Sequence, residues 1–313
     1  MSATKAFWAG SFLLAGLIVV SLSVGTQGFG WGDGGALVLL RSPRILAALA
    51  AGLALGIGGA AQQGVFRNPL ADPGLTGVFG GALFGIALLL GLSPDSAWHH
   101  AWFIPAAAFG GALIISTLLV LCGGGGSASR LLLTGLGLNA FTAAGTLVIA
   151  SRSGESRELL TNGAYGDWLG MATLELTWLP VLLCLLSALL LLPLARSLDL
   201  LSFGEDAARA FGCDVGSARR KAVLLTALAA AAATCLVGQV AFIGLLAPHL
   251  SRTLVGPRHA KVLPLSGLLG AILLLGADTA GRGLSPHAPL SAAAVTAVIG
   301  APLFIWIARG RHE

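Results

Sequence analysis

The sequence predicts an all-α fold: a polytopic transmembrane helical bundle of about ten spans with both termini in the cytoplasm. Three observations predict it: a composition that water cannot solvate, apolar segments of membrane-crossing length, and a lopsided placement of basic residues. Apolar residues make up 56% of the 313 and charged residues only 10%, against about 45–50% and about 25% in soluble domains. Mean hydropathy is +0.89. So few charges cannot cover a soluble chain of this length, which argues against a cytosolic enzyme, a disordered chain or a secreted disulfide scaffold. The 45 glycines have no collagen period and suit close helix packing in lipid.

The first apolar segment, 7–25, follows a single Lys and lacks a cleavage site of the A-x-A kind, so it reads as a retained span. Spans 2 to 6 fall at 45–65, 74–92, 101–122, 131–150 and 177–195, near the roughly 20 residues that a bilayer requires. Pro43, just before span 2, suits a first helical turn. Gly52-x-x-x-Gly56 and Gly81-x-x-x-Gly85 are faces on which helices pack closely. The stretch 222–254 is too long for one span, and Gly238, Gly244 and Pro248 divide it into 222–237 and 240–254. Spans 9 and 10 are 262–280 and 290–308. All ten belong to one domain, 1–313.

Charge gives the orientation. Thirteen of the 18 Lys and Arg border the spans on one side, from Lys5, Arg67 and Arg130 through Arg196–Lys221 to Arg311. The other side holds Arg41, Arg44, Arg152, Arg157 and Arg282. The richer side is expected to be cytoplasmic, so the net charge of +5 reports topology and implies no nucleic acid partner. Two irregular stretches interrupt the spans: Arg67-Asn68-Pro69-Leu70-Ala71-Asp72-Pro73-Gly74, and Gly238 to Gly244 followed by Leu245-Leu246-Ala247-Pro248-His249. Irregular backbone at membrane depth is tolerated only against protein or a wet cavity, and its recurrence in two halves points to a transport pathway.

Several signals carry no chemistry. The run Gly123–Gly126 lacks a following Gly-Lys-Ser/Thr, so it is a flexible turn and not an ATP-binding loop. Cys122, Cys184, Cys213 and Cys235 form no CxxC, which gives neither a disulfide framework nor a zinc site. No Ser/His/Asp constellation stands out, so no enzyme, no catalytic residue and no cofactor bound by this chain are expected. His249 could ligate haem iron, though a local hydrogen bond beside Pro248 suits it better. Asp278, with Arg282 four residues on, reads as an ion pair at a helix end. Its rival reading is the proton carrier of an ion-coupled secondary transporter.

The interval 196–221 is the one long polar segment on the side expected to be cytoplasmic. Ser202-Phe203-Gly204-Glu205 fits a capping box, with Ser202 as N-cap and Glu205 at the third helical position. Asp206 favours a helix start and Gly212 a left-handed helix end. The prediction is a short helix over Phe203–Phe211, outside the membrane, offering Ala207, Ala208 and Phe211 to a partner. Its acidic start argues against a helix lying on headgroups.

These residues resemble the FecCD/BtuC-type permeases of bacterial ABC importers for iron chelates, haem or cobalamin. The resemblance is carried by Arg41-Ser-Pro-Arg44, Gln63-Gly-Val-Phe-Arg-Asn-Pro-Leu-Ala-Asp-Pro73, Ser129-Arg-Leu-Leu-Leu-Thr-Gly135 and Leu198-Asp-Leu-Leu-Ser-Phe-Gly-Glu205. Phe242-Ile-Gly-Leu-Leu-Ala-Pro-His249, Ala277-Asp278 with Arg282, and Gly300-Ala-Pro-Leu-Phe304 complete it. The resemblance implies a multi-pass permease of the bacterial inner membrane that pairs with a second copy or paralogue. It implies two ATPase subunits that hold ATP and Mg, and a periplasmic or lipid-anchored substrate-binding protein, with membrane lipid around the permease. The family's cytoplasmic gate corresponds to Asn68, Leu70, Ala128 and Ser129. Its ATPase-coupling element corresponds to a segment over about 199–216, with Ser202, Phe203, Gly204, Glu205, Asp206, Ala207, Ala208, Phe211 and Gly212. Docking of the binding protein corresponds to Arg41, Arg44 and Arg282. A ferric siderophore is the expected cargo, with haem next and cobalamin third.

Overall fold

The computed structural model describes residues 3–25, 28–29, 36–92, 102–123, 128–151, 168–284 and 290–309. Among them are twelve α-helices: α1 (Ala3–Ser23), α2 (Ala36–Phe66), α3 (Val78–Leu92), α4 (Phe103–Gly123), α5 (Ala128–Ala150) and α6 (Leu174–Leu191). The series continues with α7 (Ala195–Ser202), α8 (Glu205–Ala210), α9 (Val215–Val237), α10 (Ile243–Val255), α11 (His259–Leu284) and α12 (Ala292–Arg309). A two-residue antiparallel pairing of β1 (Val24–Gly25) with β2 (Gly28–Phe29) follows α1.

Seven helical stretches are long and apolar enough to cross a membrane, and Val78–Gly91 and Ala292–Ile305 are shorter apolar helices. Large apolar side chains face outward: Phe12, Leu121, Leu147 and Val298 are 71–75% exposed. An outward apolar coat of that kind belongs in lipid. Helices α3 and α10, with 15 and 13 residues, reach only about 20 Å at roughly 1.5 Å per residue. They stop short of a bilayer's hydrocarbon thickness and leave room for the irregular segments 67–77 and 238–242.

The centre of the bundle is α2 against α11. They run antiparallel, because Arg44 near the start of α2 meets Asp278 near the end of α11, while Gly64 lies against His259. Backbones touch along this crossing. A side-chain carbon at Gly52 would stand 2.4 Å from the Gly270 carbonyl oxygen, and one at Gly56 would stand 2.1 Å from that of Ser266. The second small-residue face does the same for α3 and α4, with Gly81 over Gly111 and Gly85 over Ala107. Helix α9 closes the core with a buried Ala229–Ala233 run.

One detail departs from the sequence reading. Helix α2 starts at Ala36, so Pro43 stands inside it and not in its first turn. The Leu39 carbonyl that a residue-43 N–H would have bonded accepts instead from Ser42 Oγ at 3.0 Å, which meets the need of a backbone group in lipid. Pro248 inside α10 frees the Gly244 carbonyl in the same way, and Gln63 Nε2 of α2 donates to it at 3.4 Å.

Candidate functional site

Three places gather the residues singled out from sequence. At the basic end, the polar interval folds as α7 and α8 in place of the single predicted helix. The capping box does not form. Ser202 is the last residue of α7, its hydroxyl bonds the Asp199 carbonyl at 2.6 Å, and α8 begins only at Glu205. Gly204 makes the turn between them at φ +108° and supplies no side-chain cap, a conformation open to glycine and strained for most other residues. Gly212 ends α8 at φ +78°, in the left-handed region expected of it.

Charge pins α8. Glu205 accepts from Arg209 Nη2 at 3.1 Å and also from Arg219 of α9, which is 6% exposed. The Arg219 hydrogen bond holds the Glu205 carboxyl below the usual carboxylate range. Asp206 pairs with Arg209 at 3.1 Å. Phe203 and Phe211 stand 75% and 71% exposed on this end, beside the partly open Ala207. Ala208 was expected to face a partner, but it is fully buried in the chain's own core with Leu198, Leu201 and Val215, so the outward apolar surface is the two phenylalanines.

The second place is the loop between α2 and α3. Arg67 leaves α2 at φ 50°, and Asn68 folds back to accept from Leu70 N at 2.9 Å through Oδ1. Asp72 caps the single turn Pro73–Thr76 by accepting from Gly74 N at 2.8 Å. Asn68 and Leu70 are half-buried. Ala128 and Ser129 open α5, but their side chains lie outside the described set, as do all of Gly124–Ser127, Arg152, Arg157 and Arg311. Ala71 and Leu131 share one apolar cluster, which brings the loop and the start of α5 to the same end of the bundle. Gln63 adds a residue to which the sequence assigned no role: besides serving Gly244, its Oε1 accepts from Arg252 of α10. The pair Gln62-Gln63 in the apolar run before the loop was the available signal.

The third place is the opposite end. Asp278 is fully buried and takes Arg44 Nε at 2.8 Å and Nη2 at 2.6 Å on one oxygen, and Arg282 Nε at 3.1 Å on the other. The i,i+4 pair is therefore present, with a second arginine added. Arg282 was expected on an outer docking surface, yet it is 2% exposed. Its remaining donors go to the Ser21 carbonyl at 3.3 Å, to Ser21 Oγ at 2.7 Å and to the Val24 carbonyl. Buried guanidinium groups must be spent on partners, so Arg282 braces α11 against α1. Arg41 is half-buried and bonds the Leu22 carbonyl.

Residues 13–310 match the model of the FecCD transport family. The chain belongs to that family. It is 41% identical over 274 residues to the ferric enterobactin transport system permease protein FepD of Escherichia coli, covering 86% of this chain and 80% of that protein. It is 36% identical over 283 residues to the hemin transport system permease protein HmuU of Yersinia pestis, covering 88% and 83%. A solved structure, described as an inward-facing ABC transporter of the metal-chelate type, superposes with a TM-score of 0.89 at 29% identity, over 98% of this chain and 99% of that one. As a FecCD member the chain is a multi-pass membrane permease, the transmembrane component of an ABC transporter.

Proposed function

We propose that this permease carries an iron chelate, a ferric siderophore first, across the bacterial inner membrane as the transmembrane subunit of an ABC importer. Family membership carries the reading, together with a relative at 41% identity named for ferric enterobactin. Haem is the second reading, favoured by the hemin permease relative. Two permease subunits, identical or paralogous, enclose the pathway. Two separate ATPase subunits bind ATP and Mg at the basic, cytoplasmic end, and the chain itself performs no covalent chemistry.

Phe203 and Phe211 are the contacts offered to the ATPase, with Gly204 and Gly212 shaping the turn that presents them. The cytoplasmic gate is formed by Asn68 and Leu70 with Ala128 and Ser129. Arg41, at the periplasmic end, receives an acidic residue of the binding protein, while Arg44, with its side chain 11% exposed, and Arg282 hold Asp278 behind it. That arrangement also disfavours the proton-carrier rival, because both oxygens of Asp278 are committed to guanidinium groups.

The test is ATP hydrolysis by the purified complex, reconstituted with its binding protein and presented in turn with a ferric siderophore, haem and cobalamin. Stimulation by the siderophore supports the reading. Stimulation by haem alone moves the cargo to the second reading, and a chain that copurifies with no ATPase overturns the importer assignment.

A further inference from the structure

The α7–α8 segment is fastened to the bundle at two charged points, and both adjoin the loop after α2. The first joins residues 60 apart in sequence. One carboxylate oxygen of Asp199, in α7, accepts the backbone N–H of His259 at 2.8 Å and meets its ring Nδ1 at 2.7 Å. His259 is the first residue of α11, so Asp199 satisfies an orphan donor at that helix start from a different element. The ring is 4% exposed, and its Nε2 finds no partner among the described residues. It packs on the end of α2: a side-chain carbon at Gly64 would stand 2.7 Å from that Nε2. Gly64 comes four residues before Asn68.

The second point is Glu205. Beyond its bond to Arg219, it lies in the field of Arg67. A side-chain carbon at Gly204 would stand 3.8 Å from Arg67 Nη1, and Arg67 immediately precedes Asn68. The segment thus reaches the α2 side of the loop twice, through His259 at Gly64 and directly at Arg67, with Leu198 of α7 packed beside Gly64.

The geometry points to Asp199 and His259 as positioning residues that make the α7–α8 segment, the start of α11 and the Gly64–Leu70 stretch move as one body. The inference deepens the importer reading and rests on it: displacement applied by an ATPase at Phe203 and Phe211 reaches the gate loop through the carboxylate–imidazole contact. Asp199 is the indispensable partner, because the imidazole packs on Gly64 at its other edge and Nε2 has no hydrogen-bond partner among the described residues. Losing that partner strands two donors at a buried helix start.

The experiment uses the complex of permease, ATPase and binding protein in nanodiscs, with Leu70→Cys as reporter in a background lacking the four native cysteines. Asp199→Ala and His259→Leu are expected to keep the ATPase bound and hydrolysing within twofold of the parent. Transport falls at least tenfold, and the labelling difference between ATP-bound and nucleotide-free states at position 70 disappears. His259→Asn, whose amide nitrogen can stand near the place of Nδ1, restores that difference. Transport within twofold of the parent in Asp199→Ala overturns the proposal, and so does loss of the ATPase together with transport, which marks a purely structural role. A double variant, Asp199→Cys with His259→Cys, gives an independent arm that does not depend on a destabilised single mutant. Unbridged, it transports at least tenfold below the parent; bridged by a short bifunctional thiol reagent, it recovers transport if the two sites move together, and bridging that restores nothing overturns the proposal. A parent chain that assembles no ATPase removes the importer reading, and this proposal with it.

Discussion

Asp278 has no exposure and neutralises one of the two guanidinium groups that hold it. Replacing it with Ala leaves Arg44 and Arg282 facing each other at a dry helix end, and removing one member of a buried ion pair costs about 3–5 kcal/mol. Asp278→Ala should therefore lower the thermal midpoint in detergent markedly, and Asp278→Asn less so, because an acceptor remains. Scanning fluorimetry on the two variants checks the order, and equal midpoints would show that the charge is not what holds the cluster. Glu205 gives the pH dependence. Its folded carboxyl lies below the ordinary carboxylate value, so it contributes stability above the unfolded value, and that contribution is lost as pH falls through the folded one. Proteolysis of the 196–214 segment should rise on acidification in the parent, and Glu205→Gln should flatten the profile. The i,i+4 partner of Asp278 was legible in sequence. Arg44, which reaches it from 234 residues away, was not, because no local pattern records which helix ends meet.

At the level of the helix, the polar interval between spans 6 and 7 was legible as a separate folded piece with an outward apolar face. Its internal boundary was not. Ser202 and Glu205 have the capping-box spacing, but Ser202 is held by the helix before it and Gly204 turns the chain at a positive φ. A spacing rule cannot tell a residue that opens a helix from one that closes the previous helix. The same ambiguity assigned Ala208 to the surface, since a six-residue helix buries one face and the pattern does not say which. The exposed face yields a prediction: Phe211→Glu places a carboxylate where a partner's apolar groove is expected. Copurification of the ATPase should fall at least tenfold while membrane insertion stays normal. Unchanged copurification would move the contact elsewhere.

Across the whole molecule, the apolar segments, their irregular breaks and the small-residue crossings were readable because lipid imposes them: backbone must be satisfied internally, and close helices need glycine. What joins the two halves was not readable, since it depends on Gln63, His259 and Asp199 meeting partners far along the chain. If Asn68 and Ser129 flank a cytoplasmic constriction, single cysteines at these positions should react with thiol reagents from that side. Their rates should change several-fold between nucleotide-free and ATP-bound complexes. Constant rates would mean that the constriction lies elsewhere.

Helix α11 is tethered at both ends, to Asp199 through its first residue and to Arg44 through Asp278, and it lies backbone to backbone on α2 between them. Each residue turns an α-helix by about 100° and advances it about 1.5 Å. A single insertion or deletion between His259 and Asp278 would therefore swing one tether away from its partner while the other stayed in place, and the Gly267 and Gly270 contacts would rotate off the crossing. The number of residues in this helix is thus itself a structural constraint: one residue added or removed between His259 and Asp278 should destabilise the bundle more than an exchange of an outward-facing side chain along it, and thermal midpoints of the two kinds of variant check this.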